Sequence, residues 1–158
     1  MENQKIKFAV VGCGHIGKRH ASMILGNNNC ELVALCDVKP KQELGLEQYA
    51  NAVFFSSIDA LVKSKLDIDV ISIASPNGYH EEHALIALDR NCHVVVEKPM
   101  ALTKAGCEKI IFKALHKHKQ VFCVMQNRYS PPSVWLKEVL EQGVLGKIFM
   151  VQINCYWN

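Results

Sequence analysis

The sequence lacks the features that mark several other classes of protein. It has no C-x-x-C pair among its seven cysteines, no run of basic residues, and a net charge of only +3. No apolar run approaches the roughly 20 residues needed to cross a bilayer, and the N-terminus has no signal-peptide form. These absences disfavour a metal or disulfide framework, a nucleic-acid partner and a membrane location. We expect a cytoplasmic protein.

The cysteines are expected to be reduced and structural. Their number is odd, and most of them flank predicted strands or lie on apolar faces, where Cys behaves as a small buried hydrophobic residue. They stand at positions 13, 30, 36, 92, 107, 123 and 155.

The apolar pattern predicts strands and helices in alternation. With 158 residues, 49% of them apolar, the chain has room for one domain with a normal core. The predicted strands are short, unbroken and rich in Val and Ile, which suits a parallel sheet buried on both faces. The predicted fold is therefore α/β, a doubly wound, mainly parallel sheet of the Rossmann type. Strands are predicted over residues 5–11, 31–36, 52–55, 70–74, 93–96 and 121–125, and helices over 16–25, 40–49, 57–65, 78–89 and 103–116, with Ser57 and Thr103 as N-caps.

The last thirty residues depart from this alternation. Residues 129–133 (YSPPS) predict a linker, because each Pro disfavours helix in the residue before it. A helix over 134–142 and a long strand over 147–157 follow. We predict a dinucleotide-binding domain over residues 1–127, and over 128–158 the linker, helix and first strand of an incomplete second α+β domain.

A glycine-rich motif follows the first predicted strand. Gly12, Gly14 and Gly17 match G-x-G-x-x-G, and the motif opens a predicted helix at the start of a βαβ unit. The glycines serve the tight turn, the close approach of a pyrophosphate and helix–strand packing, respectively. The pyrophosphate would meet free N–H groups at the helix N-terminus, which makes His15 and Ile16 cofactor-binding candidates as well.

An acidic residue ends the second predicted strand. Asp37 lies 20 residues after Gly17, where its carboxylate can accept hydrogen bonds from both hydroxyls of an adenosine ribose. A 2′-phosphate there would meet like charge, and no Arg follows, only Val38 and Lys39. The sequence therefore predicts a bound cofactor, NAD in preference to NADP, and disfavours a glycine turn without a ligand.

The segment SPNGYH follows the fourth predicted strand, at the edge where open α/β sheets bind ligands. Ser75, Asn77 and His80 are cofactor-binding candidates on this ground, while a capping role for Asn77 and a packing role for Tyr79 remain alternatives. His80 and His83 could suggest a metal, but the spacing is not H-E-x-x-H and no third ligand is evident. No metal site is predicted.

A charged pair follows the fifth predicted strand at the same edge. Burying charge is costly unless it is paired, so Glu97 and Lys98 straight after HVVV are unusual. A lysine serves as an acid or base when burial or a neighbouring cation lowers its pKa. The residues alone leave two readings open: a surface turn with a Glu–Lys pair, or cofactor-binding residues with Lys98 as the catalytic group.

The order GCGHIGKRHA, Asp37, SPNGYH, VVVEKPMA and QNRY resembles the Gfo/Idh/MocA family of two-domain, NAD(P)-dependent sugar and polyol oxidoreductases. The resemblance implies that Lys98 lies beside the nicotinamide and the substrate, and that the Lys98–Pro99 bond is cis. It also implies nicotinamide contacts from Gln126 and Asn127, and substrate contacts from Arg128 and Tyr129.

Within the family, VMQNRYSPP and GKIFMVQINCYWN are most similar to dehydrogenases that oxidise the 3-hydroxyl of UDP-N-acetylglucosaminuronic acid. The expected function is thus oxidation of a CH–OH group of a sugar or nucleotide-sugar. The alternative is an NAD-binding sensor without turnover. The family's second domain, which also forms its oligomer interface, is not in the sequence, and we expect the full-length protein to be a homo-oligomer through it.

Overall fold

A computed structural model describes residues 4–154 and 156. By its internal contacts the chain divides into two compact units, the first ending at Val124 and the second beginning at Met125. The first unit carries the sheet, and the second carries one α-helix.

The first unit is a six-stranded sheet in which every neighbouring pair is parallel. The strand order β3-β2-β1-β4-β5-β6 is that of a doubly wound sheet and confirms the predicted fold class. Because the order reverses beside β1, the carboxyl ends of β1 and β4 flank a crevice. The strands are β1 (Ile6–Val11), β2 (Cys30–Cys36), β3 (Val53–Phe55), β4 (Val70–Ile73), β5 (His93–Val96) and β6 (Val121–Cys123).

Helices cover both faces of the sheet. Successive strand residues point to opposite faces, so Val11 belongs to one apolar cluster and Val10 to the other. Ile24 of α1 joins the cluster of Val10, whereas Leu61 of α2, Leu88 of α3 and Ile110 of α4 join the cluster of Val11. The helices are α1 (His15–Leu25), α2 (Ile58–Lys63), α3 (His80–Asp89) and α4 (Lys104–His116).

The predicted N-caps are confirmed. The Ser57 hydroxyl accepts the backbone N–H of Ala60 at 3.2 Å, and the Thr103 hydroxyl accepts that of Gly106 at 3.0 Å. Each bond satisfies a donor that the first turn of a helix leaves unpaired.

The helix predicted over 40–49 is wrong. The structure has two single 3₁₀ turns there, Lys41–Glu43 and Glu47–Tyr49. Gly45 lies between them with φ +58°, a left-handed conformation that ends a right-handed helix. A third 3₁₀ turn, Asn77–Tyr79, precedes α3, so the helix predicted from residue 78 begins as an α-helix at His80.

The second unit departs from prediction at both ends. Its helix α5 (Pro131–Glu141) begins within the predicted linker, because Pro fits the first helical position, where no N–H is needed. The strand predicted over 147–157 is not formed in its described residues, 147–154 and 156. A strand needs a neighbour for its backbone groups, and the described residues of the second unit form no strand that could pair with this segment. Cys155 and Trp157 lie outside the described residues.

Two further findings concern the described residues as a set. None of their helices has the length and apolar character that a membrane span requires. Among the described cysteines, those at 13, 30, 36, 92 and 107 are free thiols.

Candidate cofactor site

The glycine-rich loop packs too closely against its surroundings for side chains at two of its positions. A Cβ added to Gly12, which has φ +87°, would lie 2.5 Å from the backbone N of Ser75. A Cβ added to Gly17 would lie 1.7 Å from the carbonyl oxygen of Gly12. The loop is thereby held between the end of β4 and the first turn of α1.

The third glycine faces open space. A Cβ on Gly14 would meet no atom of the described residues within 4 Å. Gly14 is also the N-cap of α1 without a side-chain cap, and the first turn holds no acidic residue. His15 and Ile16, both exposed, continue this first turn. The N–H groups there are thus available to an anion such as a pyrophosphate.

Asp37 is fixed beside the glycine loop. Its Oδ2 accepts the backbone N–H of Cys13 at 2.6 Å, and its Oδ1 accepts that of Lys39 at 2.9 Å. A carboxylate has about four acceptor sites, so capacity for further donors remains. Asp37 and the glycine loop, the predicted ribose-binding and pyrophosphate-binding elements, are therefore held together by a hydrogen bond.

A cavity of about 250 Å³ opens between the ends of β1, β2 and β4. Its walls include Gly12 and Asp37 from the motif and the stacked rings of Tyr79 and His83, whose centroids are 5.6 Å apart. Val11, Val38, Ile58 and Pro76 supply apolar wall surface. A ribose hydroxyl could meet Asp37 while an adenine occupies the apolar part, so the residues present fit an adenine dinucleotide.

The Ser75 turn is held by two histidines of α3. Ser75 Oγ and His83 Nδ1 are 3.0 Å apart, and burial lowers the pKa of His83, which favours its neutral form. His80 is only 1% exposed, and its ring nitrogens contact the carbonyl oxygens of Ser75 (2.8 Å) and Pro99 (2.7 Å). His80 thus joins this turn to the turn after β5, and both of its ring nitrogens are bound within the protein.

Asn77 is exposed, and its side chain makes no capping hydrogen bond. Its backbone carbonyl instead accepts the N–H of His80. The alternative of a capping role for the Asn77 side chain is therefore wrong, and the amide faces solvent. A cofactor contact of Asn77 stays a prediction.

Glu97 and Lys98 do not pair through their side chains. The Glu97 carboxylate is bound by His20 Nε2 at 3.1 Å and by the backbone N–H of Lys98 at 3.2 Å. Lys98 is exposed, and in the described part of the chain its ammonium has no partner. The Lys98–Pro99 bond is cis, which confirms that expectation. The surface Glu–Lys pair is thus excluded, and the lysine amine is left available at the carboxyl edge.

Sequence reasoning missed His20 and Ser72. His20 Nδ1 lies 2.7 Å from Ser72 Oγ, so Ser72, His20 and Glu97 form a continuous hydrogen-bonded row. The row has the residue types of a hydrolase triad, but Ser72 lies within β4 and is 2% exposed, which denies a substrate access. The available signal was a polar residue within a buried strand, and a His three residues after Gly17 on the inward face of α1.

The thiols near the loop are not nucleophiles. Burial is the main cause that raises the pKa of Cys13 and of Cys36 to about 12 in each case. Both therefore stay protonated at neutral pH. Among the described residues no group of His, Cys, Asp and Glu could hold a metal ion.

The four remaining site candidates lie in the second unit. Gln126, Asn127, Arg128 and Tyr129 form one 3₁₀ turn, and all four are exposed. The N–H of Arg128 donates to the carbonyl of Met125 at 3.0 Å. Their contacts with cofactor and substrate stay predictions.

The fold, the open glycine and the fixed acid define an NAD-binding Rossmann domain. The profile of the Gfo/Idh/MocA oxidoreductase family, described as an NAD-binding Rossmann fold, matches residues 6–125. The chain belongs to this family, as the sequence resemblance implied.

Individual relatives agree with this assignment. D-glucoside 3-dehydrogenase of Escherichia coli K12 is 34% identical over 152 residues, 95% of this chain and 43% of the relative. Inositol 2-dehydrogenase of Salmonella typhimurium is 31% identical over 96% of this chain and 46% of the relative. The WlbA dehydrogenase of Bordetella pertussis, solved with NADH and UDP-GlcNAcA, superposes with a TM-score of 0.85 at 32% identity, over 92% of this chain and 45% of that one. The chain spans less than half the length of these relatives.

Asp37 provides a test of how this site recognises NAD. We expect Asp37→Ala to weaken NAD binding about tenfold and to reduce the difference between the affinities for NAD and NADP. The reason is that both the acceptor for the ribose hydroxyls and the charge that repels a 2′-phosphate are lost. Calorimetric titration with both dinucleotides measures the two affinities. Asp37→Asn is the matched control, because it removes the charge but keeps one acceptor for the Cys13 N–H. It should reduce the difference between the affinities for NAD and NADP with a smaller loss of NAD affinity. An unchanged NAD-to-NADP ratio in both variants would contradict the assignment.

Proposed function

We propose that the chain forms the cofactor-binding part of an NAD-dependent dehydrogenase that oxidises a CH–OH group of a sugar or nucleotide-sugar. The observation that carries the proposal is the convergence at one sheet edge of the open glycine loop, the fixed Asp37 and an unpaired lysine amine at Lys98. Each follows the carboxyl end of a parallel strand, where ligands of such sheets bind.

The lysine supplies the proton chemistry in this proposal. A bound nicotinamide provides the acceptor for the hydride. Lys98, two residues after β5, takes the proton from the substrate hydroxyl as a neutral amine and becomes an ammonium, so no carboxylate should hold it as an ammonium beforehand. Lys98 meets this condition. The neighbouring Glu97 carboxylate does not hold its side chain, because His20 and a backbone N–H occupy that carboxylate.

The substrate class rests on the relatives. Those named above are a glucoside and an inositol dehydrogenase and an enzyme solved with UDP-GlcNAcA. We assign Arg128 and Tyr129 to the substrate, and Gln126 and Asn127 to the nicotinamide. A guanidinium suits the carboxylate or diphosphate of a UDP-sugar acid, because it binds such groups through two parallel hydrogen bonds. The 3-hydroxyl of UDP-N-acetylglucosaminuronic acid is thus the first substrate to test.

We further propose that residues 1–127 are the dinucleotide-binding domain and that 128–158 begin a second domain. The relatives are more than twice as long as this chain, which supports a longer whole protein. A homo-oligomer interface within that longer protein is part of the same proposal. No relative named here supports the alternative of a sensor without turnover.

The chain alone should bind NADH and catalyse nothing. The cofactor candidates between Gly12 and Lys98 lie within the first unit, whereas a substrate cleft would lack one wall. Without that wall, the positioning of substrate that supplies several kcal/mol of barrier reduction is lost. NADH fluorescence titration tests binding, and a turnover assay with NAD and UDP-N-acetylglucosaminuronic acid tests catalysis.

The complete protein serves as the control and is assayed with the same sugar, a glucoside and an inositol. Turnover of at least one of them is expected. Saturable turnover by the 158-residue chain would show that the active site is misplaced, and no turnover of any sugar by the complete protein would contradict the proposed function.

A further inference from the structure

The backbone around Lys98 is held on one side by a half-buried carboxylate and on the other by a buried histidine. On one side its N–H donates to Glu97 Oε2 at 3.2 Å. On the other, the carbonyl of Pro99 contacts His80 Nδ1 at 2.7 Å. Since the Lys98 ammonium has no partner among residues 4–154 and 156, these neighbours determine where the side chain begins.

Glu97 depends on His20. Its side chain is 14% exposed, and a carboxylate removed from water is costly unless it is paired. His20, 16% exposed, lies 3.1 Å from Glu97 Oε1. Because a carboxylate only accepts, Nε2 of His20 carries a proton in this contact.

Ser72 sets the other side of the ring. His20 Nδ1 lies 2.7 Å from Ser72 Oγ, and a hydroxyl can serve as donor or as acceptor in such a contact. A hydroxyl inside β4 thus helps to fix the orientation of the His20 ring, as second partners do for other functional histidines.

The row connects the two functional parts of the sheet edge. His20 lies on α1, the helix that the glycine loop opens, and Glu97 directly follows β5. Two hydrogen bonds therefore lead from His20, on the inner face of α1, through Glu97 to the backbone N–H of Lys98.

We propose that His20 is a positioning residue for Lys98. It holds the Glu97 carboxylate, which holds the Lys98 N–H, and so fixes the lysine amine relative to the cofactor helix. This inference rests on the proposed place of Lys98 at the nicotinamide. It gives Glu97 a role within the protein, as the link between His20 and the backbone of Lys98.

Two substitutions of His20 distinguish the hydrogen bond that its Nε2–H donates to Glu97 from the other contributions of the imidazole ring. His20→Gln places an amide N–H at a reach similar to Nε2, so it keeps the bond to Glu97. His20→Asn reaches about as far as Nδ1 and loses that bond. Both retain the His80 contact at Pro99, which leaves the turn attached at its other side.

The first measurement uses the free chain and needs no ligand. Amide hydrogen exchange of Lys98, followed by NMR, should become about tenfold faster in His20→Asn and stay within about twofold in His20→Gln. An unchanged Lys98 amide in His20→Asn would overturn the inference, whatever Lys98 does in catalysis.

The second measurement compares NADH with ADP-ribose, which lacks the nicotinamide. His20→Asn should lower the affinity for NADH about fivefold, which corresponds roughly to the loss of one hydrogen bond. The affinity for ADP-ribose should stay within about twofold of that of the unaltered chain. Lys98→Met should show the same split. In the double variant His20→Asn should add nothing, because its effect acts through Lys98.

The outcomes separate the two proposals. Equal weakening of ADP-ribose by His20→Asn, or additive effects with Lys98→Met, would overturn positioning through Lys98 and leave His20 a structural residue. A Lys98→Met variant that binds NADH normally, with faster Lys98 exchange in His20→Asn, would support His20 as the residue that fixes the Lys98 backbone. It would at the same time refute the placement of Lys98 at the nicotinamide.

Discussion

Replacing Lys98 with Met should lower kcat of the complete protein by about 10²–10⁴-fold, the usual contribution of a positioned acid or base. Methionine has a similar length but no proton to exchange. The affinity for ADP-ribose should not change, because the glycine loop and Asp37 do not contact this side chain through any described hydrogen bond. Steady-state kinetics with the preferred sugar measures the effect.

Lys98→Arg is the matched control for charge. Arginine keeps a cation at the end of β5, yet it does not release its proton in proteins. If Lys98 acts by proton transfer, both variants should be similarly slow. A Lys98→Arg variant with near-normal kcat would show that only a positive charge is needed, and would contradict the role proposed for the amine.

Gly17→Ala should abolish measurable NADH binding, a loss of at least about 100-fold. The added methyl would lie 1.7 Å from the Gly12 carbonyl oxygen, and a backbone atom cannot move aside as a flexible side chain can. The loop must therefore shift away from α1, which carries the N–H groups for the pyrophosphate. We also expect the free energy of unfolding to fall by about 3 kcal/mol or more. Fluorescence titration and urea denaturation measure the two effects.

Two other glycines serve as controls. Gly26→Ala, at the end of α1, brings its Cβ to an ordinary 3.5 Å from the Ser22 carbonyl oxygen and should change neither binding nor stability. Gly14→Ala places a methyl group in the open space beside the glycine loop. It should weaken NADH binding without lowering the free energy of unfolding. Wild-type affinity in Gly14→Ala would mean that the cofactor does not approach this loop.

The sheet could be predicted from sequence because its signals are local. The run His93–Val96 is a histidine followed by three β-branched valines and is bounded by turns, and the structure has the strand at those residues. The helix prediction for residues 40–49 was wrong because one glycine in a left-handed conformation, Gly45, interrupts a pattern that otherwise has helical spacing. The segment from 147 failed for another reason: strand propensity does not supply a partner strand.

The candidate site divides in the same way. Gly12, Gly17 and Asp37 carry a spacing that itself predicts a dinucleotide loop, and the structure brings them together. The pairing of Glu97 with His20 joins residues 77 positions apart, and no local pattern contains it. Such a contact depends on the register of α1 over the sheet, which only the folded chain defines.

Calorimetric titration of the unaltered chain with NAD and with NADP tests the central claim most directly. We predict a single NAD site and weaker binding of NADP, because in the proposed site the Asp37 carboxylate would meet the adenosine ribose hydroxyls and repel a 2′-phosphate. No binding of either dinucleotide, or tighter binding of NADP, would contradict the account.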